Sequence, residues 1–126
     1  MLFRYVYSAE SHPDVTETEV RDLVEVSQRN NALYGITGVL IWTGSSFIQV
    51  LEGTRSAVKN TLLRIEADRR HLGLQEISSH WVERRIFPAW SMQGVYDLHG
   101  VPAELLVESL TDGSDAAPEL VLNLAR

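Results

Sequence analysis

The sequence has no cysteine, which excludes both a disulfide framework and a thiolate metal site. No run of about eighteen apolar residues occurs, so no segment reads as a membrane-spanning helix. The first residues, Met1-Leu2-Phe3-Arg4, lack the basic start and apolar stretch of a secretory signal, and the expectation is a cytoplasmic protein. Positive charge is scarce: 11 Lys and Arg face 17 Asp and Glu, a formal net charge of −6. Nothing resembles a basic stripe, so nucleic acid is not an expected direct partner and any anionic ligand must rely on a few local donors. Internal repeats and low-complexity tracts are missing too. What remains is a chain of 126 residues, 44% of them hydrophobic, enough for one core and too few for a second domain.

Residues 2–8 read as a strand, with Phe3, Tyr5 and Tyr7 on one face and Leu2, Arg4 and Val6 on the other. Pro13 and Asp14 break it. Thr16 stands three residues before Glu19, a capping-box spacing that predicts a helix running to about Asn31. Its inward stripe, Val20, Leu23, Val24, Ser27 and Asn31, begins apolar and turns polar without leaving its face. Residues 35–43 and 45–51 form a hairpin around Gly44, with Leu40 and Trp42 on one face of the first arm and Val39 and Ile41 on the other. Thr54 caps a second helix of about sixteen residues along Val58, Leu62 and Ile65, a face that Asp68, His71 and Leu72 extend. Strands over 77–85 and 91–96, separated by Pro88, complete the sheet. The order β-α-β-β-α-β-β predicts a ferredoxin-like α+β domain, both helices on one face of an antiparallel sheet. Beyond it, Leu105, Leu106 and Leu110, the stop Asp112-Gly113, and Leu120, Leu122 and Leu124 predict two short C-terminal helices.

Gln49 lies between Phe47 and Leu51 on what should be an apolar strand face. A buried amide without partners costs roughly 1–3 kcal/mol, so something polar must meet it. Taken singly, the polar residues nearby have ordinary explanations. Gln49 can bond a neighbouring backbone group, and Tyr7 can be a core tyrosine whose hydroxyl reaches the surface. Asn30 and Asn31 can end a helix, Arg64 and Asp68 can pair four residues apart, and His71 can complement a helix carboxyl end. Trp90 and Met92 can fill the core. Taken jointly these explanations are strained, because Tyr7, Ser27, Asn31, Gln49, Asp68 and His71 would all aim between sheet and helices, where a core holds hydrocarbon.

The blocks Tyr7-Ser8, Ser27-Gln28-Arg29-Asn30-Asn31, Gly35-Ile36-Thr37-Gly38, Phe47-Ile48-Gln49-Val50-Leu51-Glu52-Gly53, Ile65-Glu66-Ala67-Asp68-Arg69-Arg70-His71 and Arg85-Ile86-Phe87-Pro88-Ala89-Trp90-Ser91-Met92 resemble those of BLUF domains, blue-light sensors that use flavin. The likeness spans about residues 1–97, which would form the sensor, with 98–126 as a helical extension of the same unit. It implies a ferredoxin-like fold with an isoalloxazine ring between the two helices. The resemblance assigns the ring's polar edge to Asn31, Asn30 and Gln49, and its surroundings to Ser27, Leu40, Phe47 and Ile65. Arg64, Asp68, Arg70 and His71, expected on the second helix, would contact the flavin or orient its ribityl side. The cofactor it implies is FAD, with FMN as the alternative.

The resemblance further implies that Tyr7 gives up an electron and a proton transiently and that the Gln49 amide, rotated or tautomerised, relays the change. Trp90 and Met92, sharing a face of the last strand, would carry the signal onward to the C-terminal helices. The expected partners are flavin, a second copy of the chain, through the face carrying Val39 and Ile41 or through the tail helices, and a separate downstream protein. No enzymatic activity is expected. Two rivals use the same fold. An acylphosphatase-like hydrolase would want a glycine-rich anion loop after the first strand, whereas Ser8-Ala9-Glu10-Ser11-His12-Pro13-Asp14 has two acidic residues and no glycine. A regulatory module that binds a metabolite or protein without light is the other.

Overall fold

The computed structural model describes residues 1–87, 89–96, 98, 99, 101, 106 and 107. Its elements follow the expected order: β1 (Leu2–Ser11), α1 (Glu17–Tyr34), β2 (Thr37–Trp42), β3 (Ser46–Gly53), α2 (Arg55–Glu66), β4 (His71–Val82) and β5 (Gln93–Val95). They build a ferredoxin-like α+β domain with one five-stranded sheet in the order β4-β1-β3-β2-β5.

Local chemistry sets the helix ends. Thr16 caps α1 by accepting from the Glu19 N–H at 3.2 Å, and Thr54 caps α2 by accepting from the Ala57 N–H at 3.2 Å. Helix α1 runs past Asn31 to Tyr34, because the left-handed Gly35 (φ 67°), expected to open the hairpin, instead closes the helix by donating to Asn31 O. Helix α2 is shorter than its stripe implied. It stops at Glu66, so Asp68 and Arg70 lie in a turn and His71 opens β4, six residues before the strand was expected.

The β1–β3, β1–β4 and β2–β3 pairings are antiparallel, but β5 runs parallel to β2, a departure from the antiparallel sheet expected. The reason lies in Glu52, which is fully buried. Its carboxylate accepts from Arg4 Nε at 3.0 Å and from the backbone N–H groups of Ile86 and Phe87 at 2.8–3.0 Å. Arg85 Nη1 adds bonds to Thr37 Oγ1 and Glu52 O at 2.9 and 3.0 Å. These contacts hold the segment after β4 at the end of the sheet where β2 begins. The chain therefore enters β5 from the same end as β2.

One sheet face, bearing Tyr5, Tyr7, Leu40, Phe47 and Leu51, packs on Val20 and Val24 of α1 and Val58 and Leu62 of α2. The opposite face, bearing Val6, Val39, Ile41, Ile48, Val50 and Val95, is covered by Phe87 and Leu106. Val39 and Ile41 have no exposed surface, which removes them as the expected contact with a second copy. Leu106 and Val107 are helical. The rest of the two expected tail helices, including Leu105, Leu110, Leu120, Leu122 and Leu124, lies outside the described residues.

Candidate functional site

Strand register brings the central groups together. Gln49 in β3 stands opposite Tyr7 of β1 on one side and Leu40 of β2 on the other. All three point to the helix side. Between them and helices α1 and α2 lies a cavity of about 240 Å³. Its walls are Asp22, Leu23, Val26, Ser27, Asn30 and Asn31 from α1, Thr61, Arg64 and Ile65 from α2, Leu40 and Gln49 from the sheet, and Asp68, Arg70 and His71 beyond α2. The residues that sequence reasoning assigned to a cofactor thus surround one space, except Phe47, which is buried beneath it and stacks on His71 with ring centroids 4.2 Å apart.

Asp22, Val26 and Thr61 were missed as cavity-lining residues, and Leu23 was expected only in the core stripe. Their signal was present: Asp22, Val26 and Asn30 follow one another at four-residue spacing, as do Leu23, Ser27 and Asn31, and Thr61 precedes Ile65 by four. A wall two stripes wide was read as one stripe.

At the floor, the Tyr7 hydroxyl hydrogen-bonds Gln49 Oε1, and the other end of the amide, Nε2, faces Met92 Sδ at 3.6 Å. Tyr7 Oη also lies 3.3 Å from His71 Nε2. Burial, reinforced by the charge of Asp68 and by Tyr5, raises the Tyr7 pKa well above its ordinary 10.0, so the phenol keeps its proton. Burial likewise lowers His71 from 6.5 to about 4, with Asp68 opposing and Arg70 assisting, so its imidazole is neutral. Nδ1 of His71 is buried and has no partner among the described residues.

At the rim, Asp68 pairs with Arg70 rather than with Arg64, because α2 has already ended and no four-residue helical spacing connects them. Arg70 Nε and Nη2 each reach the carboxylate at 2.9 Å, and the Arg70 N–H adds a third bond at 2.9 Å. Burial raises the Asp68 pKa, but these bonds and the guanidinium charge outweigh it and hold the group below 3.8. Arg64 instead donates to Thr61 Oγ1 at 3.3 Å and lies over the Tyr34 ring at 5.6 Å.

Trp90 and Met92 do not share a face. Both precede β5, where two-residue alternation does not apply. Met92 is buried in the helix-side core, while Trp90 packs on Phe87 on the opposite face, ring centroids 5.5 Å apart. The intervening chain is tied down: Asn31 Nδ2 donates to Ser91 O at 2.8 Å, Gln28 Nε2 to Met92 O at 2.9 Å, and Gly38 N to Trp90 O at 2.9 Å.

The family profile described as BLUF, sensors of blue-light using FAD, matches residues 2–93. The blue light- and temperature-regulated antirepressor BluF of Escherichia coli (strain K12) is 30% identical over 98 residues, 78% of this chain and 24% of that protein. The photoactivated adenylate cyclase subunit beta of Euglena gracilis is 29% identical over 92 residues, 72% of this chain and 11% of that protein. The chain therefore spans a quarter or less of these relatives. Among solved structures, the dark state of BlrB, a BLUF protein, superposes with a TM-score of 0.77 at 29% identity, covering 98% of this chain and 95% of that one. The BLUF domain of BlrP1 gives 0.75 at 30% identity, covering 99% and 76%. No described helix is long and apolar enough to cross a membrane. Profile, relatives and fold agree, and the chain belongs to the BLUF family of blue-light sensors that use flavin.

Proposed function

We propose that this chain holds FAD in the cavity between α1 and α2 and senses blue light through Tyr7 and Gln49, without catalysing a reaction on a substrate. The observation that carries the proposal is the hydrogen-bonded line from Tyr7 through Gln49 to Met92 along the cavity floor.

The residues suit a flavin. Leu23, Val26, Leu40 and Ile65 offer apolar surface to a flat ring, and Asn30, Asn31 and Gln49 offer donors and acceptors for a pyrimidine edge. The bond to Ser91 uses one amide hydrogen of Asn31, which leaves the other and Oδ1 for a ligand. The unpartnered Nδ1 of His71 is a buried polar atom of the kind a bound group satisfies. Arg64 and the Asp68–Arg70 pair stand at the rim, where a ribityl chain and phosphates would leave the cavity. One relative, BlrP1 of Klebsiella pneumoniae, has been solved with FMN, 28% identical over 99% of this chain, so the choice of FAD follows the family description.

When bound, the flavin supplies the blue absorption and an excited-state oxidant. Tyr7 is the adjacent donor to that oxidant: because burial keeps its phenol protonated, it would give up an electron and a proton together and recover both as the dark state returns. The proton moves from Tyr7 Oη towards Gln49 Oε1. A carbonyl end that gains a proton, or turns away, changes what the amide offers to the cavity. The contact that Nε2 must give up, to a thioether sulfur at 3.6 Å, is a weak one, so the bond to Tyr7 is the main hold on the dark arrangement. Met92 then moves with its segment, and the signal passes to a downstream protein.

The test is the absorption spectrum of the purified protein and the mass of the flavin released on denaturation. A yellow protein releasing FAD is expected. A protein that stays colourless after reconstitution with excess FAD and FMN contradicts the proposal, and in that case a light-independent binding module is the better reading.

A further inference from the structure

We propose, resting on the sensor reading of this site, that His71 is a positioning residue for the photoactive pair: as its Nε2–H tautomer it donates to Tyr7 Oη and so commits the phenolic proton to Gln49. The argument is one of proton counting. Tyr7 Oη meets Gln49 Oε1, and two oxygens in hydrogen-bond contact need a hydrogen between them. A carboxamide oxygen carries none, so the single phenolic proton lies on that line. Tyr7 then faces His71 Nε2, 3.3 Å away, with lone pairs alone, and the hydrogen on that second line must come from the imidazole.

The environment of the ring supports this tautomer. His71 is 8% exposed, and no described side chain accepts a hydrogen from Nδ1, which leaves that atom as a lone pair for the bound group to meet. The titratable groups around the ring are Tyr7, Asp68 and Arg70. Asp68 is engaged by Arg70 through three bonds at 2.9 Å and makes none to Nδ1. Phe47 fixes the ring plane at 24° to its own, and Phe47 is two residues before Gln49 on the same face of β3. The amide that receives the proton and the ring that directs it are thus held by one strand.

No bond to His71 forms or breaks in the cycle. Its Nε2–H donates to the tyrosine oxygen while the phenolic proton is on the Gln49 line, so the donor favours the dark arrangement over any in which that proton turns away. Removing that donor should slow return to the dark state by about three- to tenfold, the equivalent of one net hydrogen bond.

Nitrogen NMR of the dark holoprotein, with histidine labelled at both ring nitrogens, reads the tautomer directly in the unaltered chain. A protonated Nε2 and bare Nδ1 at His71 are expected. The Nδ1–H tautomer or an imidazolium overturns the proposal even while the wild-type protein shows its light-induced spectral shift. A wild type that binds flavin yet shows no shift sinks the sensor reading itself. Recovery kinetics after a blue flash add a second arm at equal flavin loading. His71→Leu should recover more slowly and His71→Gln, which keeps an N–H near the Nε2 position, should recover within about twofold of wild type. Equal slowing in both variants, or none in His71→Leu, overturns the positioning role.

Discussion

At the scale of single residues, the function depends on groups that a folded core ordinarily avoids. Tyr7 and Gln49 are buried and satisfy one another, so removing either leaves the other without that partner at a cost of about 1–3 kcal/mol of stability, while the photochemistry is lost altogether. Tyr7→Phe and Gln49→Ala should both retain flavin; a variant that keeps its colour with less than about a tenth of the wild-type shift fits the account. His71 gives a separate handle. The unfolded chain takes up a proton near pH 6.5, whereas the folded His71 resists until about pH 4. Stability should therefore fall as pH drops through that window, by up to about 3 kcal/mol. The contribution of Asp68, held below 3.8, is lost only at lower pH, so the two separate. Urea unfolding from pH 7 to 4.5 should show the slope in wild type and lack it in His71→Gln. The residue types were legible in the sequence, since Gln49 between Phe47 and Leu51 declared itself. That Met92 rather than Trp90 meets the amide was not, because both precede the last strand and their directions are set by Ser91 and Met92 binding to α1.

At the scale of elements, the proposed mechanism makes the segment joining β4 to β5 the mechanical part. One end is clamped by Glu52 and the other is threaded between α1 and Gln49. Breaking a buried, multiply bonded charge is costly, so Glu52→Ala should destabilise the domain by about 3–5 kcal/mol, measured by denaturant unfolding. A loss under about 1 kcal/mol would mean that the clamp is not formed. Met92→Ala acts at the other end. It should leave most of the spectral shift while abolishing light-dependent hydrogen exchange at Leu106 and Val107, which cover the far face of the sheet. Unchanged light-dependent exchange there would place the relay elsewhere. Both helix starts were legible because Thr16 and Thr54 cap in the expected way. The end of α2 was not: Asp68 and His71 continue its apolar stripe in spacing, yet the turn fixed by Arg70 on Asp68 replaces the helix.

At the scale of the whole molecule, a small local change has to become a usable output. One rearranged hydrogen bond shifts an equilibrium by about three- to tenfold, which is enough only if the element it biases has two defined positions. The sheet separates the two ends of the relay, with the cavity on one face and the cluster of Phe87, Val95 and Leu106 on the other. The connecting segment passes from one face to the other, so displacing Met92 inside alters packing outside. Sequence reasoning set the architecture from element order, but it left Val39 and Ile41 open to solvent. Which strand face the chain later folds over depends on the anchoring of Ile86 and Phe87, and no periodicity encodes that. The most direct measurement of the central claim is the light-minus-dark absorption difference of the flavin-loaded protein, recorded beside its Gln49→Ala variant. A reversible shift to longer wavelength in wild type and none in the variant is the result this account predicts. An equal shift in both would contradict it.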